Sequence, residues 1–484
     1  MTPQSPLFVD ESSVAGLSRR QLPFIPVFAQ SVAAIAPAGT SAVTPMFVIG
    51  ALGGFSGVVS FAAAMVVVML VAACIRPMAQ RLAVVGGLYS YVAHGLGPRA
   101  ALVTAWSAVV GYGSVGMASL LAVGLYLSHI AVSVGVSTTV PLVSVSAIVI
   151  VAATIACVLM VRGVKVSAAA TLVVEVVAVI LMVGLMVAVA VMHRDVPWAD
   201  VFRPRADRGI SGIGIVVAVS AFVGFESATT LSAEARRPFL VVPRTLRWTP
   251  VAAGLIYLLA VVAQSTAIYQ ADPDVASSST PLAALFLAEG SRAASVVLDI
   301  GIATSFFACA LASVNALVRV LFCLGRERVA PTALGRAHPV FHTPAIAAVA
   351  AMSVVTVVPL VFLWCGGDPE AGIRDFLTLS ALGYVGSYLL ACLAAPALLH
   401  RIGESSRRLV VLGGVSAALL VALLIGAGVT DLGHSTTLFV IYAITVAIAI
   451  VMAVVIGRVM PDRVARVGIY DEPSRDDVLT ATLR

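Results

Sequence analysis

The chain has 484 residues, 60% of them hydrophobic and 11% charged, and its mean hydropathy is +1.07. That balance excludes a soluble globular domain, and the formal net charge of +6 belongs to basic loops rather than to a nucleic-acid surface. A spanning helix needs about 20 apolar residues, so the sequence reads as an all-α, multi-pass membrane protein. The alternating ten-residue segments of a membrane β-barrel are absent.

Residues 1–18 carry two acids and no base before Arg19, unlike a secretory signal. They read as a disordered cytoplasmic tail. Twelve spans follow, at about 24–50, 55–75, 100–128, 139–161, 166–192, 210–233, 246–268, 296–323, 344–364, 376–399, 409–430 and 437–457. They form one helical domain, 19–458. In the middle of the first span lies Ile35-Ala36-Pro37-Ala38-Gly39-Thr40-Ser41. Pro37 removes an amide donor and clashes with the preceding turn, and Gly39 permits close approach of a ligand. Taken alone, the stretch fits either a proline kink or a true break lining a cavity.

The segment 77–98 reads as long and amphipathic, with Gly86-Gly87-Leu88-Tyr89-Ser90-Tyr91 opening its second half. Glu175 lies about three turns into the fifth span. The sixth contains Phe222-Val223-Gly224-Phe225-Glu226-Ser227, which places a carboxylate deep in apolar surroundings. There it costs about 2.5–3.5 kcal/mol on insertion scales and should face a cavity or a partner. Asp272–Arg292 reads as an outer loop with a short surface helix over Pro281–Ala288. Asp299 is near the outer end of the eighth span, where it is expected to be solvated, and Arg319 is near the inner end. Residues 459–484 read as a second disordered tail.

Twenty-eight of the 29 basic residues are arginine, and Lys165 is the only lysine. Twenty-two of them fall on the side of the two termini, six on the other, and Arg319 lies within a span. By the positive-inside rule both termini are cytoplasmic. The six cysteines (Cys74, Cys157, Cys309, Cys323, Cys365 and Cys392) show no CxxC or metal spacing and read as structural thiols. No metal, cofactor or nucleic-acid partner is expected.

Gly39 and Gly224 each fall in the first span of a five-span block, 24–192 and 210–399, with spans 11 and 12 at 409–457. Spans 1 and 6 run in opposite directions. An inverted repeat with two discontinuous helices has this pattern.

Three stretches resemble the amino acid–polyamine–organocation (APC) family of secondary transporters. The first is the break around Ala36–Thr40 with Gln30. The second is Gly86-Gly87-Leu88-Tyr89-Ser90-Tyr91 with Gly97 and Trp106. The third is Phe222–Ser227 followed by Glu234-Ala235-Arg236-Arg237-Pro238 and Pro243-Arg244. The resemblance covers about residues 20–458 and implies a five-plus-five inverted-repeat fold, with substrate held between helices 1, 3, 6, 8 and 10. On that reading a new helix starts near Thr40, and Ala36, Ala38, Gly39, Thr40 and Ser41 meet an α-carboxylate at its N-terminus, with the Gly39–Ser41 amides offered to it. Phe222, Val223, Gly224 and Phe225 meet the α-ammonium group, with either phenylalanine as a gate. Glu226 serves as proton carrier, hydrogen-bond hub or counter-ion. Glu175 and Arg319 are candidates for proton coupling or gating, and a Glu175–Arg319 ion pair is expected.

Sodium-coupled relatives supply two adjacent hydroxyls from helix 8, and the matching positions here are Ala308 and Cys309. Other relatives use a lysine on helix 5, where this chain has Ala178. The resemblance therefore favours proton coupling or exchange. Gly113, Ser114, Met117, Ala118, Ser380, Gly383 and Tyr384 are candidates for the side-chain pocket, which leans toward neutral amino acids. The implied setting is the lipid bilayer of a bacterial cytoplasmic membrane. A polyamine, other organic cation or nucleobase transporter is the alternative substrate reading. A transporter-like nutrient sensor is the non-transport one. All seven histidines fall in loops or at span ends, and no HExxH or GxSxG motif occurs, so an enzyme is not expected.

Overall fold

The structure, a computed structural model, describes residues 12–136, 140–204, 212–271, 281–288, 290–429, 435–464 and 466–472. Among these there is no β-strand, only single-residue bridges between Leu22 and Ala235 and between Val84 and Tyr470. The helices are α1 (Phe24–Ala33), α2 (Pro37–Leu52), α3 (Gly54–Ala79), α4 (Leu88–Leu96), α5 (Pro98–Ser133), α6 (Leu142–Arg162), α7 (Val164–Met192), α8 (Gly212–Ser220), α9 (Pro238–Gln270), α10 (Pro281–Ala288), α11 (Arg292–Arg326), α12 (Ala345–Trp364), α13 (Pro369–Arg401), α14 (Arg407–Val429) and α15 (Ser435–Val459). Helices satisfy their backbone groups internally, which suits a membrane interior. Proline opens α2, α5, α9 and α13, at the turn where a missing N–H costs nothing.

Eleven stretches among the described residues are long and apolar enough to cross a membrane, and the first of them, Phe24–Gly50, is counted through its break. The chain is thus a multi-pass membrane protein. The stretch expected as the sixth span is not one continuous helix. Its described part is α8, an irregular turn over 221–226 and a 3₁₀ turn at Ser227–Leu231.

Helix α11 lies at the centre, with 83% of its most apolar window buried, against 17% for α15, which therefore faces lipid. Helix α5 runs along α11 and α13, α7 packs on α1, α2 and α11, and α9 packs on α2 and α3. The four tryptophans, Trp106, Trp198, Trp248 and Trp364, are all exposed. Helix α4 covers only the second half of the segment read as long and amphipathic. Its Leu88–Ala93 and Gly95 are buried, and a Cβ on Gly95 would sit 2.4 Å from the Ala394 carbonyl oxygen. Close backbone contact with α13, rather than periodicity, decides its place. Helix α10 forms as expected, yet Leu282 and Phe286 are buried, so it caps the bundle.

Part of each tail expected to be disordered is folded. Residues 20–22 pair with 233–236: the amide of Arg20 donates to Ala233 O at 2.9 Å, and that of Arg236 donates to Leu22 O at 2.7 Å. Asp471, its side chain fully buried, accepts the Ser12 hydroxyl at 3.1 Å and pairs with Arg19, while its amide donates to Ala83 O at 2.7 Å. Glu327, just past α11, anchors this C-terminal strap. Its carboxylate takes the amides of Gly468 (2.7 Å) and Ile469 (3.0 Å) on one oxygen and the Tyr89 hydroxyl on the other.

Burial pushes the Glu327 carboxyl from its ordinary 4.5 up to about 7, while the Tyr89 hydroxyl and the two amides favour the charged form and limit the rise. The folded chain binds this proton more tightly than the unfolded one, to which the ordinary value belongs. The contribution of Glu327 is therefore full below about 4.5 and is lost as pH rises to about 7, by up to about 3 kcal/mol. Amide-exchange protection at Gly468 and Ile469, corrected for intrinsic rate, should fall between pH 5 and pH 8, and Glu327→Gln should flatten that fall. Equal protection at both pH values in the unaltered protein would remove Glu327 as the titrating group.

Candidate functional site

The first break is built from residues with local reasons to leave a helix. Helix α1 ends at Ala33, and Ala36 takes a left-handed conformation (φ 50°) directly before Pro37. A non-glycine residue there costs roughly 1–2 kcal/mol, which the surrounding packing must outweigh. Helix α2 starts at Pro37, about a turn earlier than the start near Thr40 expected from sequence. The Thr40 amide bonds Ala36 O at 2.8 Å and the Ser41 amide lies inside the helix. The amide left to a ligand is therefore that of Gly39 rather than those of Gly39–Ser41, because Pro37 has none and the Ala38 amide faces Glu175. Thr40 and Ser41 fold their hydroxyls back on Ile35 O (3.0 Å) and Ala38 O (2.8 Å). Gly39 faces α11, where a Cβ would meet the Phe306 ring at 2.9 Å.

The second break meets the first. Gly224 has φ +96°, and a Cβ there would lie 2.8 Å from Ala34 O. The Gly224 amide donates to the Tyr388 hydroxyl at 2.9 Å, and the Tyr257 hydroxyl donates to Ala221 O at 2.7 Å. Ser31 donates to Phe225 O, and Ser227 donates to Gln30 O at 3.3 Å. Among the described residues, the carbonyls of Phe222 and Val223 take no hydrogen bond of normal geometry. Phe222 and Phe225 are both fully buried, against Tyr257 (5.0 Å between rings) and Tyr388 (5.3 Å).

Glu226 is buried and held by two phenols, Tyr112 at 2.8 Å and Tyr388. Tyr388 thereby links the break amide to the carboxylate. Glu175 is also buried. It accepts from the Ser305 hydroxyl at 3.3 Å, and the Ala38 amide faces its carboxylate. The expected Glu175–Arg319 pair does not form. Arg319 bonds Glu234 at 2.7 Å and Asn315 Oδ1 at 2.6 Å. Ser305 and Arg319 are fourteen residues apart on α11, about 21 Å along the axis, so one carboxylate cannot serve both. Asp299 is likewise not solvated. It is fully buried and holds His129 at 3.0 Å and Ser133 at 2.9 Å.

Several residues escaped the sequence reading. Tyr112 stands next to the candidate Gly113, and Tyr388 stands one turn past Tyr384, yet neither hydroxyl has a local signal. Ser380 and Gly383 serve helix contact: the Ser380 hydroxyl donates to Gly111 O at 2.9 Å, and Gly383 packs on the Gly111 backbone. Gly113, though buried, has open space where a Cβ would point. The Tyr384 hydroxyl lies near Ser313 and forms no hydrogen bond of normal geometry. Cys309 donates its thiol to Ala34 O at 3.3 Å, beside a small cluster of Ala33, Ala34, Ala308 and Ala312. Among the described residues no group of three or more His, Cys, Asp or Glu side chains could hold a metal.

A family model described as amino acid permease matches residues 22–462. Over 133 residues the chain is 32% identical to the D-serine/D-alanine/glycine transporter of Escherichia coli (strain K12), and it spans only 27% of that relative's length and 27% of its own. Over 347 residues, 70% of this chain and 71% of the relative, it is 26% identical to an uncharacterized transporter of Rhizobium meliloti (strain 1021). It is 23% identical to the branched-chain amino acid permease BcaP of Bacillus subtilis (strain 168) over 168 residues, 35% of this chain and 36% of the relative. The family and these relatives are permeases and transporters, not enzymes.

Tyr388→Phe strips the Gly224 amide of its acceptor and Glu226 of one donor. It should destabilise the purified protein by about 1–3 kcal/mol, read as a lower unfolding temperature. Tyr384→Phe should cost little, since its hydroxyl makes no bond of normal geometry. Equal losses in the two variants would contradict the linking role of Tyr388.

Proposed function

We propose, on the premise that the chain belongs to the amino acid permease family, that it carries neutral amino acids across a bacterial cytoplasmic membrane by alternating access. The observation that carries this reading is the contact between the two breaks, Gly224 against the Ala34 carbonyl. On this reading the contact sets the Gly39 amide at one helix N-terminus opposite the Phe222 and Val223 carbonyls of the second break. Amides at a helix N-terminus suit a carboxylate, and free carbonyls suit an ammonium group. A zwitterion is held at both ends without a charged side chain. The buried open space at Gly113 suits a small side chain.

In this reading α1 and α2 form one span and residues 212–231 another. That gives twelve spans in two inverted blocks of five, 24–192 and 210–399, with α14 and α15 added. The excess of basic residues on the side of the termini puts both in the cytoplasm. The Escherichia coli relative is named for D-serine, D-alanine and glycine and the Bacillus subtilis one for branched-chain amino acids. All of these substrates have uncharged side chains, which supports a neutral amino acid over a polyamine.

Protons are the proposed coupling ion. Glu234 is held by Arg319, whereas the partners of Glu226 are phenols and those of Glu175 are a serine hydroxyl and an amide. A carboxyl among uncharged partners can gain or lose a proton without breaking an ion pair. A sodium ion, by contrast, prefers hard oxygen ligands. Here a thiol already occupies the Ala34 carbonyl, and alanines surround it.

Proteoliposomes loaded under an imposed pH gradient should take up alanine, serine or leucine equally with and without sodium. Strict sodium dependence would overturn the coupling proposal, and gradient-insensitive counterflow would replace proton coupling with exchange. Glu226→Gln or Glu175→Gln should flatten the pH dependence of uptake. Gly39→Leu, forced against Phe306, should insert normally but lose uptake; normal uptake by that variant would remove the first break from the substrate path.

A further inference from the structure

Next to Ala15, an open cleft of about 800 Å³ is lined by Gly325, Arg326, Arg328, Val329 and neighbours from the end of α11 and the 3₁₀ turn Thr332–Gly335, and by Arg463. Three arginines thus meet in one cleft with no acid in its lining. The nearest acids in sequence are spoken for or turned away. Glu327 points inward onto Tyr89, Gly468 and Ile469, and Asp462 does not line the cleft. None of the three guanidinium groups pairs with a carboxylate among the described residues. Arg326 donates to Ala15 O at 2.6 Å and stacks over Phe322, and Arg463 donates to Arg328 O at 3.1 Å.

Arg328 adds an independent observation. It has φ +60°, at the residue after the C-terminal cap of α11, where a left-handed conformation favours glycine. An arginine held at that position bears backbone strain, and strain of this kind concentrates where a side chain is needed. The surroundings are those of a membrane boundary. Arg326 is the last residue of one spanning stretch, and Arg463 comes four residues after another, beside the exposed Val459 and Met460. A soluble anion has no use for those apolar neighbours. A lipid uses both, with its phosphate among the arginines and its acyl chains along Val459 and Met460.

We propose that the cleft of Arg326, Arg328 and Arg463 binds the phosphate headgroup of an anionic phospholipid. Guanidinium groups match phosphate oxygens in bidentate geometry, and basic pockets beside spanning helices recognise such headgroups. The lipid joins the end of α11 to the segment that follows α15. It therefore reinforces the strap at a point separate from Glu327, and it does so whatever the transported solute.

The test uses the full-length protein, purified in detergent and titrated with phosphatidylglycerol, phosphatidylcholine or inorganic phosphate, with bound lipid read by native mass spectrometry and stability by thermal shift. Phosphatidylglycerol should bind and raise the unfolding temperature, and phosphatidylcholine should not. Arg328→Gly relieves the backbone and removes one guanidinium, so it should fold at least as well as the parent yet bind roughly fivefold more weakly. Combined with Arg463→Gln the loss should reach roughly 30-fold. Arg407→Gln, an exposed arginine on α14 outside the cleft, should bind like the parent. Equal weakening by Arg407→Gln would mean that general surface charge binds the lipid, and would overturn the proposal. So would an equal shift from inorganic phosphate alone, or unchanged binding by the double variant.

Discussion

The need to satisfy backbone polar groups away from water governs this molecule. Two chain segments leave the helix inside the bundle, and each frees amides and carbonyls that hydrocarbon would punish by several kcal/mol apiece. They survive because they press on one another and on side chains placed for them. Gly224 lies on Ala34, Ser31 reaches Phe225 O, Ser227 reaches Gln30 O, Tyr257 reaches Ala221 O, and Cys309 reaches Ala34 O. The groups left over are few, and a ligand able to use them gains what the protein leaves unsatisfied.

The buried acids divide by partner. Glu234 faces a guanidinium and cannot lose its charge without stranding Arg319, a buried cation whose isolation would cost about 3–5 kcal/mol. It therefore fastens the end of the second break to α11. Glu226 and Glu175 have only dipoles around them, so either protonation state can be accommodated by turning a hydroxyl. The same helices thus carry one fixed tie and two adjustable carboxyls, and the difference lies in the partner rather than in depth.

Both breaks were legible from residue chemistry, because proline and glycine act on their own backbone. Even the register error at α2 has a local cause: the helix begins at Pro37 itself, as prolines favour the first helical position. What stayed hidden was partnership. Arg319 was matched to Glu175 when Glu234, 85 residues upstream, lies at its guanidinium. Tyr388 looks like any aromatic residue in an apolar helix until Gly224 is seen beneath its hydroxyl. The strap rests on contacts such as Ser12 to Asp471, 459 residues apart, and no local pattern announces such a pair. Helix α4 is a further case: its segment read as amphipathic, and the backbone contact at Gly95 shows that it is buried against α13.

The exposure of all four tryptophans has an optical consequence. They face the surroundings of the bundle, whereas Tyr112, Tyr384 and Tyr388 form a chain of close rings beside Glu226, with centroids 5.1 and 5.9 Å apart. Indole emission therefore reports the lipid or detergent around the protein and is nearly blind to its centre. Phenol absorbance and near-ultraviolet dichroism carry the signal from the interior. The two chromophores divide the molecule into an outer and an inner channel of observation without any attached label.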